Sequence, residues 1–152
     1  LLKISVINRY TPDAKPAVGF VRGFGLQRGA LASSVAHDSH NIVAVGTDDA
    51  ALALAVNAVI EAKGGISATD GAGDVRMLPL PIAGLMSQSD GYTLAQEYAR
   101  LDAWTKETLG CSLHAPFMVL SFLALPVIPK LKMTDLGLFD VEQFGFVPVE
   151  MP

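Results

Sequence analysis

The sequence predicts an α+β fold, a single domain in which an antiparallel or mixed β-sheet carries helices packed on its face. Three observations predict it. Short apolar runs of strand length are joined mostly by Gly-, Pro- and Asp-containing turns, which suits antiparallel neighbours better than crossovers. Two longer segments repeat apolar residues at spacings of three and four, the helical period. The 152 residues are 51% apolar and 17% charged, a composition that builds one core without staples.

The elements follow in order. Leu2–Asn8 alternates apolar and polar residues, a half-buried strand. Tyr10–Pro16 has the chemistry of a loop. Ala17–Phe24 and Ala30–Ala36 read as strands, and Gly23, Gly25 and Gly29 between them suggest a hairpin. Asn41–Gly46 is a further β run. Thr47 or Asp48 then caps a helix whose apolar face is Leu52, Val56, Val59 and Ile60. Lys63 complements its C-terminal end and Gly64-Gly65 stops it. Ile66–Thr69 and Val75–Leu80 read as a hairpin around Asp70-Gly71-Ala72-Gly73-Asp74. Asp90 caps a second helix running to Leu109, with Leu94, Tyr98, Leu101 and Trp104 on one side and Gly110 as terminator. Pro116 suits the first turn of a short helix over Phe117–Leu125, although a buried strand fits the same pattern. Leu138–Val149 reads as mostly extended. No repeat, low-complexity tract or second domain is evident along residues 1–152.

Charge and cysteine content narrow the partners. The net charge of -4, with basic residues scattered, argues against nucleic acid and against a membrane surface. The longest apolar run, Ala115–Pro129, contains Ser121 and three prolines and is shorter than a bilayer span. Cys111 is the only cysteine, which fits a reducing compartment, the cytoplasm by default, with the thiol acting as a small buried hydrophobe. The chain opens on Leu1 without a methionine or a signal-peptide pattern, which raises the expectation that it is a piece of a longer protein.

The most informative stretch is His37-Asp38-Ser39-His40-Asn41, five polar side chains between apolar strands and two of the three histidines in the chain. A structural turn accounts for Asp, Ser and Asn, whose side chains bond nearby backbone. The other reading of the same pentapeptide is a polar patch offered to a ligand or to another domain. A metal site on His37, Asp38 and His40 needs a turn that makes them converge, and further ligands, which the sequence does not specify. Gly23-Phe24-Gly25-Leu26-Gln27-Arg28-Gly29 misses the dinucleotide spacing by one residue and precedes a strand rather than a helix, so turn glycines are the better reading. Thr47-Asp48-Asp49 reads as a helix cap rather than an acid–base pair. Nucleophile-elbow, zincin, Walker A and zinc base-deaminase signatures are absent from the sequence.

Several blocks of the chain carry a resemblance. They include Asn8-Arg9-Tyr10, Ala17–Leu26, Arg28-Gly29-Ala30, Ser34–Asn41, Val45-Gly46-Thr47, Gly64-Gly65, Leu80–Met86, Pro116-Phe117-Met118, Leu120–Pro129, Thr134, Gly137-Leu138 and Asp140-Val141. In their order and wording they resemble the C-terminal domain of bacterial adenine deaminases of the amidohydrolase superfamily. Ile66–Met77 and the second helix are the least distinctive parts. The resemblance implies a longer enzyme that hydrolyses adenine to hypoxanthine and ammonia in a (β/α)₈ barrel holding a divalent metal, manganese or iron. The barrel's His-x-His does not occur in this sequence, so no cofactor is expected on this piece and none of its residues is assigned as a metal ligand. The expected partners are the enzyme's own N-terminal barrel, adenine as its substrate, and further copies in a homo-oligomer. The candidate residues near the active site are His37, Asp38, Ser39, His40 and Asn41, with none assigned a catalytic step. Two other readings stand beside this one. One is a purely structural or oligomerisation module. The other is an independent metal-binding enzyme built on His37, Asp38 and His40.

Overall fold

A computed structural model describes residues 1–149; the last three residues of the expected domain lie outside the described ones. The chain forms a six-stranded sheet of β1 (Leu2–Ile7), β2 (Ala17–Val21), β3 (Ala30–Ser33), β4 (Ile42–Gly46), β5 (Gly65–Thr69) and β6 (Val75–Pro79). Its order is β2-β1-β4-β3-β5-β6, and every pairing is antiparallel. Three helices accompany it: α1 (Asp49–Glu61), α2 (Gly91–Leu109) and α3 (Pro116–Phe122). A small three-stranded sheet of β7 (Leu131–Thr134), β8 (Gly137–Asp140) and β9 (Gly145–Phe146) completes the fold. The expected α+β class is observed, with the sheet wholly antiparallel.

The two faces of the large sheet differ in side-chain size. Ala30, Ala32, Ile42 and Ala44 face α1, meeting Ala51, Leu52, Ala55 and Val59. Small residues let the helix axis approach closely. A Cβ on Gly46 would lie 2.9 Å from Leu52 Cγ. The opposite face carries Ile4, Val6, Leu31, Val43, Val45 and Ile66 into the main core, against Leu101 and Leu109 of α2, Phe117 and Leu120 of α3 and Met133 of β7. Cys111 belongs to this core, and its burial raises its thiol pKa. It is the small hydrophobe the sequence suggests.

Several expectations are corrected. β2 and β3 do not form a hairpin, because β1 and β4 lie between them. The glycine-rich join instead dips into the core: Phe24 is buried, its carbonyl accepts from Ser112 N–H at 2.9 Å, and Gln27 N–H donates to Leu109 O at 2.9 Å. These bonds to the α2–α3 connection replace strand pairing for residues 22–29. On α1 the buried stripe runs through Ala51 and Ala55, while Ile60 is 53% exposed. Lys63 lies past the last turn and itself takes the left-handed conformation (φ 58°), and Gly65 already belongs to β5. The 115–125 segment is helical, over Pro116–Phe122. The extended tail reduces to β8 and β9 around a turn, and β7 has no counterpart among the expected elements.

Of the two expected caps, Thr47 and Asp48, it is Asp48 that caps α1, its carboxylate accepting from Ala51 N–H at 2.9 Å. That bond, and a second from the Thr47 hydroxyl, hold its pKa below the ordinary 3.8. A carboxyl with a depressed folded-state pKa contributes stability that is complete above its unfolded value and lost as pH falls through the folded one. Asp48→Asn keeps a capping oxygen without titrating, so the wild type should lose stability relative to this variant only as pH drops below 3.8; denaturant midpoints across the acid range check it. The closest backbone approach is at Gly29 (φ +76°), where a Cβ would lie 1.9 Å from Thr69 O. Gly29→Ala should therefore destabilise the fold by more than about 2 kcal/mol, measured by urea denaturation.

Candidate functional site

The His37–Asn41 turn is the polar part of the crossing from β3 to β4, and its position follows from the sheet register. Ile7 pairs with Ile42, so the residues just before β4 lie beside those just after β1. The turn is closed by His40 N–H donating to Ala36 O at 2.6 Å. His40 takes a left-handed backbone conformation (φ 51°), which a non-glycine residue adopts at some cost. On the other side, His37 N–H donates to Ser121 O at 2.9 Å, and the His37 ring packs on Phe122 with centroids 4.9 Å apart. α3 thus anchors the start of the turn.

The five candidates divide by exposure. Asp38 and Ser39 are exposed, His37 and His40 are half-buried, and Asn41 is buried. The two imidazoles meet edge-on with centroids 6.0 Å apart. Asn41 N–H donates weakly to Ser39 Oγ at 3.4 Å. His40 Nδ1 and Asn41 Oδ1 are buried without a hydrogen-bond partner among the described residues. Such atoms each cost on the order of 1–3 kcal/mol unless something satisfies them.

Three residues that were not among the site candidates complete the arrangement. Arg9 Nε donates to His40 O at 2.7 Å, and Tyr10 Oη donates to Ser39 O at 2.9 Å. Asn8 Nδ2 donates to Asp135 Oδ2 at 2.8 Å, tying the end of β1 to the β7–β8 turn. Asn8-Arg9-Tyr10 was visible in the sequence only as a recognisable block. Its role depends on a pairing between β1 and β4 that local pattern does not reveal.

Asp38 and Ser39 form one rim of a groove of about 370 Å³. The rest of its lining is mostly apolar, including Leu125, Val127, Leu136 and Phe146, with Thr134 and Asp135 as further polar members. Leu136 is 77% exposed and Val127 69%. The site therefore joins hydrogen-bonding groups to a greasy wall. No three His, Cys, Asp or Glu side chains come together as metal ligands among the described residues. His37, Asp38 and His40 do not make such a set, so the independent metal-site reading has no support in the geometry.

A family model described as "Adenine deaminase C-terminal domain" matches residues 1–145. The chain is 60% identical over 147 residues to an "Adenine deaminase" of Salinibacter ruber (strain DSM 13855 / M31), covering 97% of the chain and 27% of that relative. It is 56% identical over 147 residues to an "Adenine deaminase" of Sulfurovum sp. (strain NBC37-1), with the same coverage. It is also 49% identical over 151 residues to the "Adenine deaminase" of Archaeoglobus fulgidus, covering 99% of the chain and 27% of the relative. The chain thus spans about a quarter of the length of the curated relatives it matches. By the extent of the family match and by these identities, the chain belongs to the adenine deaminase C-terminal domain family.

Proposed function

We propose that this domain is the accessory part of an enzyme that hydrolyses adenine to hypoxanthine and ammonia, and that it lends a polar turn to the mouth of an active site housed elsewhere in the parent. The carrying observation is that Asp38 and Ser39 of the His37–Asn41 turn line an exposed, largely apolar groove. In this reading the groove seats the parent's barrel, and the turn lies along the seam. The relatives' names and greater length support it. The divalent metal, manganese or iron, belongs to that barrel; the described residues here supply no ligand set. What this chain contributes is hydrogen bonding. His37 and His40 each present an imidazole able to donate or accept, and Asp38 presents a carboxylate. Such groups orient a purine edge or the attacking water. A cytoplasmic setting suits the single buried thiol.

The test is made in the full-length parent. His37→Ala or His40→Ala should lower kcat/KM for adenine by about tenfold or more while the protein remains folded, the scale typical of a lost positioned polar group. Unchanged turnover together with an unchanged KM would sink the reading.

A second role, building the oligomer, is favoured by a separate surface. Beyond α1, the same sheet face is open over β1 and β2, where Val18 is 49% exposed and Phe20 57%. A groove of about 390 Å³ runs there between Val18 and Ile60. With both apolar surfaces uncovered, the 152-residue chain on its own should self-associate with rising concentration in light scattering. A strict monomer at high concentration would count against it.

A further inference from the structure

We propose that Arg9, assisted by Tyr10, is the positioning residue of the His37–Asn41 turn: its guanidinium fixes the turn's backbone so that the two imidazoles hold one orientation. The assignment rests on the reading above that the turn serves adenine hydrolysis.

The geometry is that of a clamp. Arg9 Nε donates to His40 O at 2.7 Å, and the Nη2 arm donates to Ala83 O. Tyr10 lies against the guanidinium, with Arg9 Cζ 5.1 Å from the ring centroid, and its hydroxyl donates to Ser39 O at 2.9 Å. Two consecutive carbonyls of the turn, those of Ser39 and His40, are therefore held by two consecutive residues leaving β1. The clamp acts where the backbone needs holding, at the left-handed His40. A residue in that conformation persists when its surroundings over-determine it.

The slot is shaped for this side chain. A Cβ on Gly84 (φ +76°) would lie 2.3 Å from Arg9 Nη1. The 82–86 turn thus presses bare backbone against the guanidinium. No Asp or Glu lies in ion-pair range of Arg9 among the described residues. Its donors go to carbonyls on two separate segments, which is work for a planar fork. A lysine ammonium, a single point of charge, does not reproduce it. Arg9 bonds to the His40 carbonyl rather than to either imidazole. Its effect on chemistry is therefore exerted through the turn.

The experiment compares Arg9→Ala, Arg9→Lys, Tyr10→Phe and His40→Ala in the full-length enzyme, reading kcat, KM for adenine and melting temperature. A misplacement on the order of 1 Å costs about a hundredfold, so Arg9→Ala should lose roughly tenfold to a hundredfold in kcat. KM should stay within about twofold, since the lost interaction acts on orientation in the transition state. Millimolar guanidinium should restore part of the rate to Arg9→Ala, and Arg9→Lys should remain impaired. Tyr10→Phe keeps the ring and removes only the hydroxyl on an exposed side chain. It should lose less, about twofold to fivefold, and it carries the test if Arg9→Ala does not fold. The assignment is overturned if His40→Ala is impaired while Arg9→Ala, or Tyr10→Phe in its place, matches the wild type. It is also overturned if the loss in Arg9→Ala merely tracks a fall in melting temperature and guanidinium rescues nothing. If His40→Ala itself retains full turnover, the functional reading of the turn falls, and the assignment with it.

Discussion

The pairing of β3 with β4 is the interaction on which the rest of this domain depends. These two strands occupy the middle of the sheet and are buried along their whole length on both faces. Their alternation sorts side chains largely by size: alanines, with Ile42 at the start of β4, towards α1, and leucine and valine towards the main core. The register Ala32↔Ala44 places small residues opposite one another on the α1 side. A slip of one residue would drive Leu31, Val43 and Val45 into α1 and leave alanines to fill the larger core. Size, rather than polarity, fixes the register, because neither face of these strands meets water.

That central pair also determines where the polar turn lies. β3 and β4 are joined by Ser34–Asn41, too long a connection for a tight hairpin. The excursion is used twice. Ser34 Oγ donates to Gly84 O at 2.6 Å and accepts from Gly65 N–H at 2.8 Å, locking the near end to β5 and the 82–86 turn. His37 N–H then bonds α3. Only after these anchors does the chain expose Asp38 and Ser39. The turn is consequently a loop braced on three sides, the kind of support that lets loop residues hold a defined geometry.

What the sequence revealed and what it concealed divide along physical lines. Local signals were legible: the Asp48 and Asp90 caps, the Gly110 terminator, the β5–β6 hairpin and the polar pentapeptide all follow from rules that operate within a few residues. The topology was less so. Three glycines between two β runs suggest a hairpin, yet residues 22–29 bond to the α2–α3 connection some eighty residues away, a partner no local pattern announces. The helix face was displaced for a related reason. Alanines scarcely register as hydrophobic signal, but Ala51 and Ala55 are what close approach to the sheet requires, while Ile60, the stronger signal, faces outward. At the candidate site, residue types were legible and their support was not. Arg9 and Tyr10 reach the turn only because Ile7 pairs with Ile42.

The energetics of the turn argue that stability is not its purpose. A connection chosen only to join two strands would place glycine or asparagine at the left-handed position, where either is better tolerated than histidine. It would not bury His40 Nδ1 and Asn41 Oδ1 without partners among the described residues, at about 1–3 kcal/mol each. Nor would it set a polar rim beside Leu136 and Val127, which gain nothing from solvent. Each feature is unfavourable in the separate domain. A second surface over the groove would remove its apolar wall from water and could bring hydrogen-bonding groups to Asp38 and Ser39. The matched relatives are several times longer than this chain, and in the proposed reading the covering surface is another part of the same polypeptide, at the high effective concentration that covalent linkage provides. In the reading proposed above, the exposed groove beside Asp38 and Ser39 is one side of an interdomain seam.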